Sequence, residues 1–214
     1  MTLTVHGWGF SPYVRAVRAA LNEKGVPHAH RDMTPADLAD PDFRAISPFG
    51  RVPVLRHGDL ALSESIAILH DVEEALPGPS LAPADAVARA RMRAILLGAS
   101  AYLYPTAVMG VFFGDAYVRA NGGTPDVEAV ADAARRAAPV LDALERQWAG
   151  PWAVGEALTL ADLLVLPMVQ NLAMTESGRD LLAARPRLAA WFVRAVERPS
   201  LTATERPIPL FGLE

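Results

Sequence analysis

A chain of 214 residues can hold one large or two small domains, each with an adequate apolar core. Its net charge of −4 and pI of about 5.7 give no basic footprint for nucleic acid, and the absence of cysteine excludes disulfides, thiolate metal sites and a cysteine nucleophile. The opening residues MTLTVHGWGF lack the charged and apolar regions of a signal peptide, so we expect a cytoplasmic location.

A short strand and a clearly marked helix begin the chain. Residues 3–7 alternate apolar and polar side chains, which predicts a strand. Ser11 is suited to the N-cap, Pro12 to the first helical position, and Gly25 to the stop after the helix. Residues 27–33 predict a second strand, parallel to the first by the right-handed crossover rule. Together these elements predict a βαβ unit whose helix starts at Ser11.

Residues 47–75 carry the pattern that points most directly to chemistry. Pro53 is expected to open a strand at an exposed edge and to leave the backbone of Val52 free, so that an extended peptide could dock there. Glu64 and Ser65 are expected in the first turn of the next helix, where unpaired N–H groups and the helix dipole favour an anion. Ser65 could hold a carboxylate and Glu64 an ammonium group. The pattern indicates a site for a zwitterionic peptide, with an ordinary capped hairpin as the alternative.

The second half of the chain is predicted to be helical. Residues 76–84 are rich in Pro and Gly and mark a domain boundary near residue 80. Residues 158–163 form a capping box, in which the side chains of Thr159 and Asp162 each accept a hydrogen bond from the other's backbone amide. Leu158 can pack on Leu163. The predicted helices span residues 86–119, 126–148, 160–173, 178–184 and 187–197.

One stretch has the length and composition of a membrane span. Residues 94–114 are 21 residues without a charge, and a span needs about 20. Pro105 lies in the middle of the stretch, beside Tyr102 and Tyr104, and this pattern favours a kinked helix that is buried and lines a cavity. We therefore expect no association with a membrane.

Two motifs stand in different halves of the chain: Ser47-Pro48-x-Gly50-x-Val52-Pro53 with Glu64-Ser65-x-Ala67-Ile68, and Gly155-x-x-Leu158-Thr159-x-Ala161-Asp162. Both resemble the cytosolic glutathione S-transferase superfamily, in its serine-type bacterial form, and the resemblance covers essentially the whole chain. It implies an α/β thioredoxin-like N-terminal domain at residues 1–78 that binds glutathione. It also implies an all-α C-terminal helical domain at residues 86–214 that supplies the electrophile site and the contacts of a homodimer.

The resemblance assigns glutathione, as co-substrate, to particular residues. It implies a cis Val52–Pro53 bond, with the backbone of Val52 pairing to the cysteinyl backbone of glutathione. Glu64 and Ser65 would hold the γ-glutamyl end. Arg51 could pair with the glycyl carboxylate, or equally be a solvated surface charge.

Ser11 matches the position at which serine-type transferases carry their activating hydroxyl. A free thiol has a pKa of about 8.5. A hydrogen bond to a charged group contributes roughly 1.5–3 kcal/mol, which lowers the thiol pKa by about 1–2 units. The dipole of the first helix acts in the same direction. The alternatives are that Ser11 only caps the amide of Tyr13 or Val14, and that Tyr13 is the donor to sulfur.

We expect an enzyme that transfers the glutathione thiolate to a small hydrophobic electrophile or reduces organic hydroperoxides. A glutathione-dependent cis–trans isomerase and a non-catalytic glutathione-binding or interaction protein are the alternatives. No metal is expected, because His28 and His30 lack a third ligand. We expect the electrophile pocket between the domains, with Trp8 and Tyr13 on one side and Tyr102, Tyr104, Met109, Phe112 and Phe113 on the other.

Overall fold

The computed structural model of the chain describes residues 3–34, 36–205 and 208. The chain divides into two compact units. The first runs to Ala82 and also includes a segment that starts at Arg198. The second runs from Pro83 to Glu197.

The first unit is a four-stranded mixed sheet with helices packed on it. The sheet order is β2-β1-β3-β4, with β1 and β2 parallel and the other neighbours antiparallel. This arrangement confirms the predicted thioredoxin-like α/β fold. The strands are β1 (Leu3–His6), β2 (His28–Arg31), β3 (Val54–His57) and β4 (Leu60–Ser63), and the helices are α1 (Pro12–Glu23), α2 (Pro41–Ile46, after a 3-10 turn at Ala36–Ala39) and α3 (Ser65–Ala75).

Apolar residues at helical spacing fix α1 and α3 on the sheet. Val14, Val17 and Leu21 are fully buried on α1, and Ile68 and Val72 are fully buried on α3. Burying each of these side chains contributes roughly 1.5–3 kcal/mol. This burial fixes the direction of both helices, and therefore the position of their N-termini.

The position of Pro53 differs from the prediction. Strand β3 lies between β1 and β4, so the expectation that Pro53 opens a strand at an exposed edge is wrong. Pro53 instead precedes the first paired residue, Val54, where its missing N–H costs no ladder hydrogen bond.

The second unit is all helical, as predicted. Helix α4 is continuous, and its middle part, Ala99–Tyr117, has π-helical hydrogen bonding around Pro105, whose ring nitrogen has no hydrogen to donate. The helices are α4 (Ala86–Ala120), α5 (Val127–Gln147), α6 (Leu160–Ala173), α7 (Glu176–Ala183) and α8 (Pro186–Ala195).

Helix α4 is long and apolar enough to cross a membrane by length and composition alone. It packs against α5 and α6 inside its unit, and Leu103, Val108 and Phe112 are fully buried there. These contacts are those of a core helix in a helical domain.

The predicted capping box is present at the start of α6. The Asp162 carboxylate accepts hydrogen bonds from the Thr159 amide (2.8 Å) and the Thr159 hydroxyl (2.9 Å). It also accepts bonds from the Ala153 amide (2.8 Å) and from the indole N–H of Trp191 (2.9 Å). Burial raises the pKa of Asp162, and these four donors oppose that rise. One buried carboxylate therefore joins α6, α8 and the loop before α6.

The C-terminal bound of the helical domain differs from the predicted 86–214. A short helix, α9 (Pro199–Thr202), belongs to the first unit and packs on α1. The Glu23 carboxylate accepts hydrogen bonds from Arg198 and from the Ser200 hydroxyl, and Asn22 donates to the Ser200 carbonyl at 3.0 Å. Polar side chains at the end of α1 hold this segment, and helical periodicity alone could not reveal them. Residues 206, 207 and 209–214 of the predicted domain lie outside the described residues.

Candidate functional site

The strand register brings the predicted site residues to one end of the sheet. His6, the last residue of β1, pairs with Val54, the first residue of β3, and Val54 pairs with Ser63, the last residue of β4. The loop that leads to Ser11, the turn before Val54 and the start of α3 therefore share this end. All of these residues lie within the first unit.

Ser11 is the N-cap residue of α1, as predicted, but its side chain does not cap the helix. Among the described residues, its hydroxyl accepts no hydrogen bond from the first turn. Its carbonyl accepts the Arg15 amide at 2.9 Å, and its own amide donates to the Trp8 carbonyl at 2.9 Å. The backbone of Ser11 is thus fixed, while its half-buried hydroxyl is left for another partner.

The loop between β1 and α1 is anchored to the end of β2. The Gly7 amide donates to the Arg31 carbonyl at 3.1 Å, and the Gly9 amide donates to the Asp32 carboxylate at 2.9 Å. A ring nitrogen of His30 contacts the Gly7 carbonyl at 2.8 Å. The loop that delivers Ser11 is therefore held at three points.

Gly7 joins this loop to the turn that contains Val52. Gly7 has φ +149°, and a Cβ built on it would lie 2.5 Å from a methyl carbon of Val14 and 2.9 Å from Cβ of Val52. Only glycine allows both neighbours to approach so closely. The sequence did not predict this role of Gly7. The one signal available was a glycine directly after a strand.

The cis Val52–Pro53 bond implied by the resemblance is present. Within the described chain, neither the amide nor the carbonyl of Val52 takes part in a backbone hydrogen bond. The turn before Val52 is closed by Ser47, whose hydroxyl bonds both backbone groups of Arg51. Val52 therefore presents unpaired backbone groups at the end of the sheet, as a docking peptide requires.

Glu64 and Ser65 lie at the start of α3, and only Glu64 lies one position before its predicted place. Glu64 is the N-cap rather than a residue of the first turn, and Ser65 is the first helical residue. Glu64 has φ +72°, which is rare for a residue with a side chain, and no side chain of the described residues caps this helix. Its first amides are thus left for an anion, next to the nearly buried Ser65 hydroxyl.

Two further site candidates lie in the first unit with Ser11. Tyr13 is the second residue of α1 and is half-buried. Arg51 is exposed beside the Val52 turn.

Burial and neighbouring charges lower the pKa of two basic side chains in this unit. Burial, followed by the charges of Arg31 and Arg56, lowers the pKa of His6 at the end of β1. Burial lowers the pKa of Arg15, one turn after Ser11, to about 10, so this side chain stays charged at neutral pH. The Arg15 guanidinium donates to the Thr204 hydroxyl at 3.3 Å.

The predicted electrophile residues have different environments in α4. Tyr102 and Met109 are exposed, whereas Phe112 is fully buried. Phe112 packs edge-on against Phe113, with ring centroids 5.2 Å apart. Phe112 is therefore a core residue, and its expected place in a pocket is wrong.

His28 and His30 each contact a backbone carbonyl, of Val26 at 3.1 Å and of Gly7 at 2.8 Å. In the part of the chain that the structure describes, no group of three or more His, Cys, Asp or Glu side chains could hold a metal ion.

Comparison with known proteins identifies the family. The family described as "Glutathione S-transferase, N-terminal domain" matches residues 5–80, and "Glutathione S-transferase, C-terminal domain" matches residues 127–194. Glutathione S-transferase 3 of Zea mays is 36% identical over 97% of this chain and 95% of its own length. The chain belongs to the glutathione S-transferase family. Its reaction is the conjugation of glutathione, as co-substrate, to electrophiles.

Solved glutathione S-transferases share the whole architecture. Glutathione S-transferase III in apo form is 34% identical, with a TM-score of 0.82 over 98% of this chain and 100% of that one. Glutathione S-transferase-I bound to lactoylglutathione is 26% identical, with a TM-score of 0.83 over 94% and 97%. These relatives confirm both the fold and the conjugation reaction expected from the sequence. The isomerase and non-catalytic alternatives are not favoured.

Proposed function

We propose that this glutathione S-transferase activates the thiol of glutathione with the hydroxyl of Ser11 and transfers the thiolate to a small hydrophobic electrophile. The observation that carries the proposal is the Ser11 hydroxyl, which lies at the N-terminus of α1 and makes no capping bond there. A hydroxyl that only capped the helix would be turned toward the amides of the first turn. This one is left to donate to a sulfur.

The N-terminus of α1 stabilises the thiolate in addition to the hydroxyl. The first-turn amides of α1 and the helix dipole provide positive potential at Ser11. A hydrogen bond to a charged group is worth roughly 1.5–3 kcal/mol, or about 1–2 pKa units. Starting from a thiol pKa of about 8.5, this brings the thiolate to a major population at neutral pH.

The tripeptide is proposed to lie across the end of the sheet. The unpaired backbone of Val52, fixed beside Pro53, pairs with the cysteinyl backbone. The amides at the start of α3 and the Ser65 hydroxyl hold the γ-glutamyl carboxylate, while Glu64 holds the ammonium group. Arg51, which is exposed, pairs with the glycyl carboxylate.

The competing donor is Tyr13, and a steady-state assay with a general aryl electrophile separates the two. We expect Ser11→Ala to lower kcat/KM by roughly 10- to 100-fold, because the variant loses one charge-assisted hydrogen bond to the thiolate. Ser11→Thr keeps a hydroxyl and should retain most of the activity, and Tyr13→Phe should change it little. Equal turnover of wild type and Ser11→Ala, or a larger loss in Tyr13→Phe, would assign the activation elsewhere.

Further features of the function follow as proposals. The N-terminal domain, predicted at 1–78, binds glutathione, and the helical unit from Pro83 to Glu197 supplies the electrophile site and dimer contacts. Because the same thiolate can attack an O–O bond, reduction of small organic hydroperoxides is a second activity of this site: attack releases the alcohol and leaves a glutathione sulfenic acid, which a second glutathione converts to glutathione disulfide and water. The homodimer is proposed because Phe49 leaves 68% of its side chain exposed on the turn that precedes Val52.

A cytoplasmic location agrees with the absence of cysteine.

A further inference from the structure

A basic cavity lies in the helical unit, apart from every residue of the proposed glutathione site. Its volume is about 670 Å³, which is within the range of roughly 300–1,000 Å³ for small-molecule sites. Three arginines from three helices line it: Arg91 from α4, Arg146 from the last turn of α5, and Arg187 from the first turn of α8. None of its lining residues is an aspartate or a glutamate.

The charges of these arginines are not neutralised by the protein. Among the described residues, Arg91, Arg146 and Arg187 form no ion pair. The nearest carboxylate in sequence, Glu145, is engaged at the start of α8, where it accepts the amides of Arg187 (3.0 Å) and Leu188 (2.9 Å). Three unpaired cations around one concave surface repel each other and attract an anion. Guanidinium groups are suited to phosphate oxygens in particular, which they bind in pairs of hydrogen bonds.

The backbone beside the cavity fixes one of the three arginines. Trp148 lines the cavity and is only 2% exposed. Its carbonyl accepts a hydrogen bond from the Arg187 guanidinium at 3.4 Å, which holds that side chain at the rim.

A smaller apolar hollow continues the cavity. Its volume is about 280 Å³, and it shares Gly150 and Arg187 with the first one. Pro151, Pro186, Ala190 and Trp191 give it a mainly apolar lining, to which Arg194 also contributes. The combined groove therefore has one strongly basic part and one apolar part.

We propose that this groove binds a small organic phosphate, with the dianionic phosphate between Arg91, Arg146 and Arg187 and the apolar body over Trp191. The three positive charges match a phosphate monoester, which carries about −1.5 to −2 at neutral pH. Every residue of the groove lies in the unit from Pro83 to Glu197, so this ligand shares no binding residue with glutathione. The proposal does not depend on the role of Ser11.

Calorimetric titration of the full chain at low salt tests the groove, with phenyl phosphate as the probe. Inorganic phosphate and phenol, which correspond to the two halves of the probe, are titrated separately for comparison. We expect saturable one-to-one binding of phenyl phosphate that weakens with salt, and weaker or no binding of either half. The double variant Arg91→Gln/Arg146→Gln should bind at least tenfold more weakly. Arg93→Gln is the matched control, because Arg93 is exposed on the same helix but does not line the groove, and it should bind like wild type.

Several results would overturn this assignment. Equal weakening in Arg93→Gln means that the probe follows net charge rather than the groove. Displacement of the probe by S-methylglutathione places it in the glutathione site. Inorganic phosphate that binds as tightly as the ester removes the apolar half of the proposal. Absence of binding, together with a changed oligomeric state in the double variant, means that the arginines contact a second copy of the chain. Should the double variant prove unfolded by circular dichroism, Arg146→Gln alone is titrated against the same tenfold criterion.

Discussion

The hydroxyl of Ser47 bonds both backbone groups of Arg51: it accepts the Arg51 amide at 2.9 Å and donates to the Arg51 carbonyl at 2.8 Å. Ser47 is fully buried, so its hydroxyl is shielded from water although Arg51 is exposed. The Gly50 amide adds a third bond to the Ser47 carbonyl at 2.8 Å. This closed turn sets the direction in which the chain reaches Val52.

Replacing Ser47 should therefore weaken glutathione binding more than the chemical step. Ser47→Ala removes two buried hydrogen bonds worth about 1 kcal/mol each, and the Val52 backbone loses its fixed position. We expect the KM for glutathione to rise about 5- to 30-fold while kcat changes less than about threefold. Ser80→Ala, an exposed serine after α3, is the matched control and should leave both parameters unchanged. A large fall in kcat with a normal KM would contradict this role.

The Asp162 network predicts a large loss of stability far from the chemistry. Asp162→Ala leaves the Thr159 and Ala153 amides and the Trp191 indole as buried donors without an acceptor. We expect the free energy of unfolding to fall by about 3–5 kcal/mol. Asp132→Ala, an exposed carboxylate paired on the surface of α5, should change it by less than about 1 kcal/mol. Similar urea midpoints for the two variants would refute the argument.

Stability should decrease as the pH falls through the range in which histidine is protonated. His6 has a folded-state pKa below its ordinary value because of burial first and then the nearby Arg31 and Arg56. A folded state that binds fewer protons than the unfolded one loses stability as the pH falls below the unfolded pKa of about 6.5. His28, whose pKa is also lowered by burial, contributes in the same direction.

Urea unfolding at pH 8, 6.5 and 5.5 checks this dependence. We expect the wild type to lose stability between pH 6.5 and 5.5, and His6→Gln to lose less over the same interval. An identical pH profile in the two proteins would mean that His6 is not responsible.

Phe49 predicts the surface used for dimer formation. It leaves 68% of its side chain exposed between Pro48 and Gly50, and its backbone is held by the closed turn from Ser47. Phe49→Ser should shift the protein toward a monomer at micromolar concentration in light scattering. Val127→Ser, which changes a residue 72% exposed at the start of α5, should leave the dimer intact. A dimer of unchanged stability in Phe49→Ser would locate the interface elsewhere.

Local signals in the sequence were sufficient to predict the helices and strands, but not the contacts between residues far apart in the chain. Ser11, Pro12 and Gly25 predicted the start and end of α1, because caps and stops depend on neighbouring residues only. Gly7 was missed because its close approach to Val52 joins residues far apart in the chain. The positive φ of Glu64 was missed because glutamate has no preference for that conformation.

Tertiary hydrogen bonds explain the remaining differences. Ser47 belonged to the recognised motif, but nothing in its neighbours indicated that its hydroxyl bonds Arg51. The return of α9 to the first unit depends on Glu23, which accepts bonds from Arg198 and Ser200. Such polar contacts leave no periodic pattern in a sequence.

The titration of bound glutathione tests the central claim most directly. The ultraviolet difference absorbance of the thiolate is followed against pH for wild type and Ser11→Ala, each saturated with glutathione. We predict an apparent thiol pKa of about 6.5–7.5 in wild type, and a value about 1–2 units higher in Ser11→Ala. The same thiol pKa in both proteins would contradict activation by Ser11.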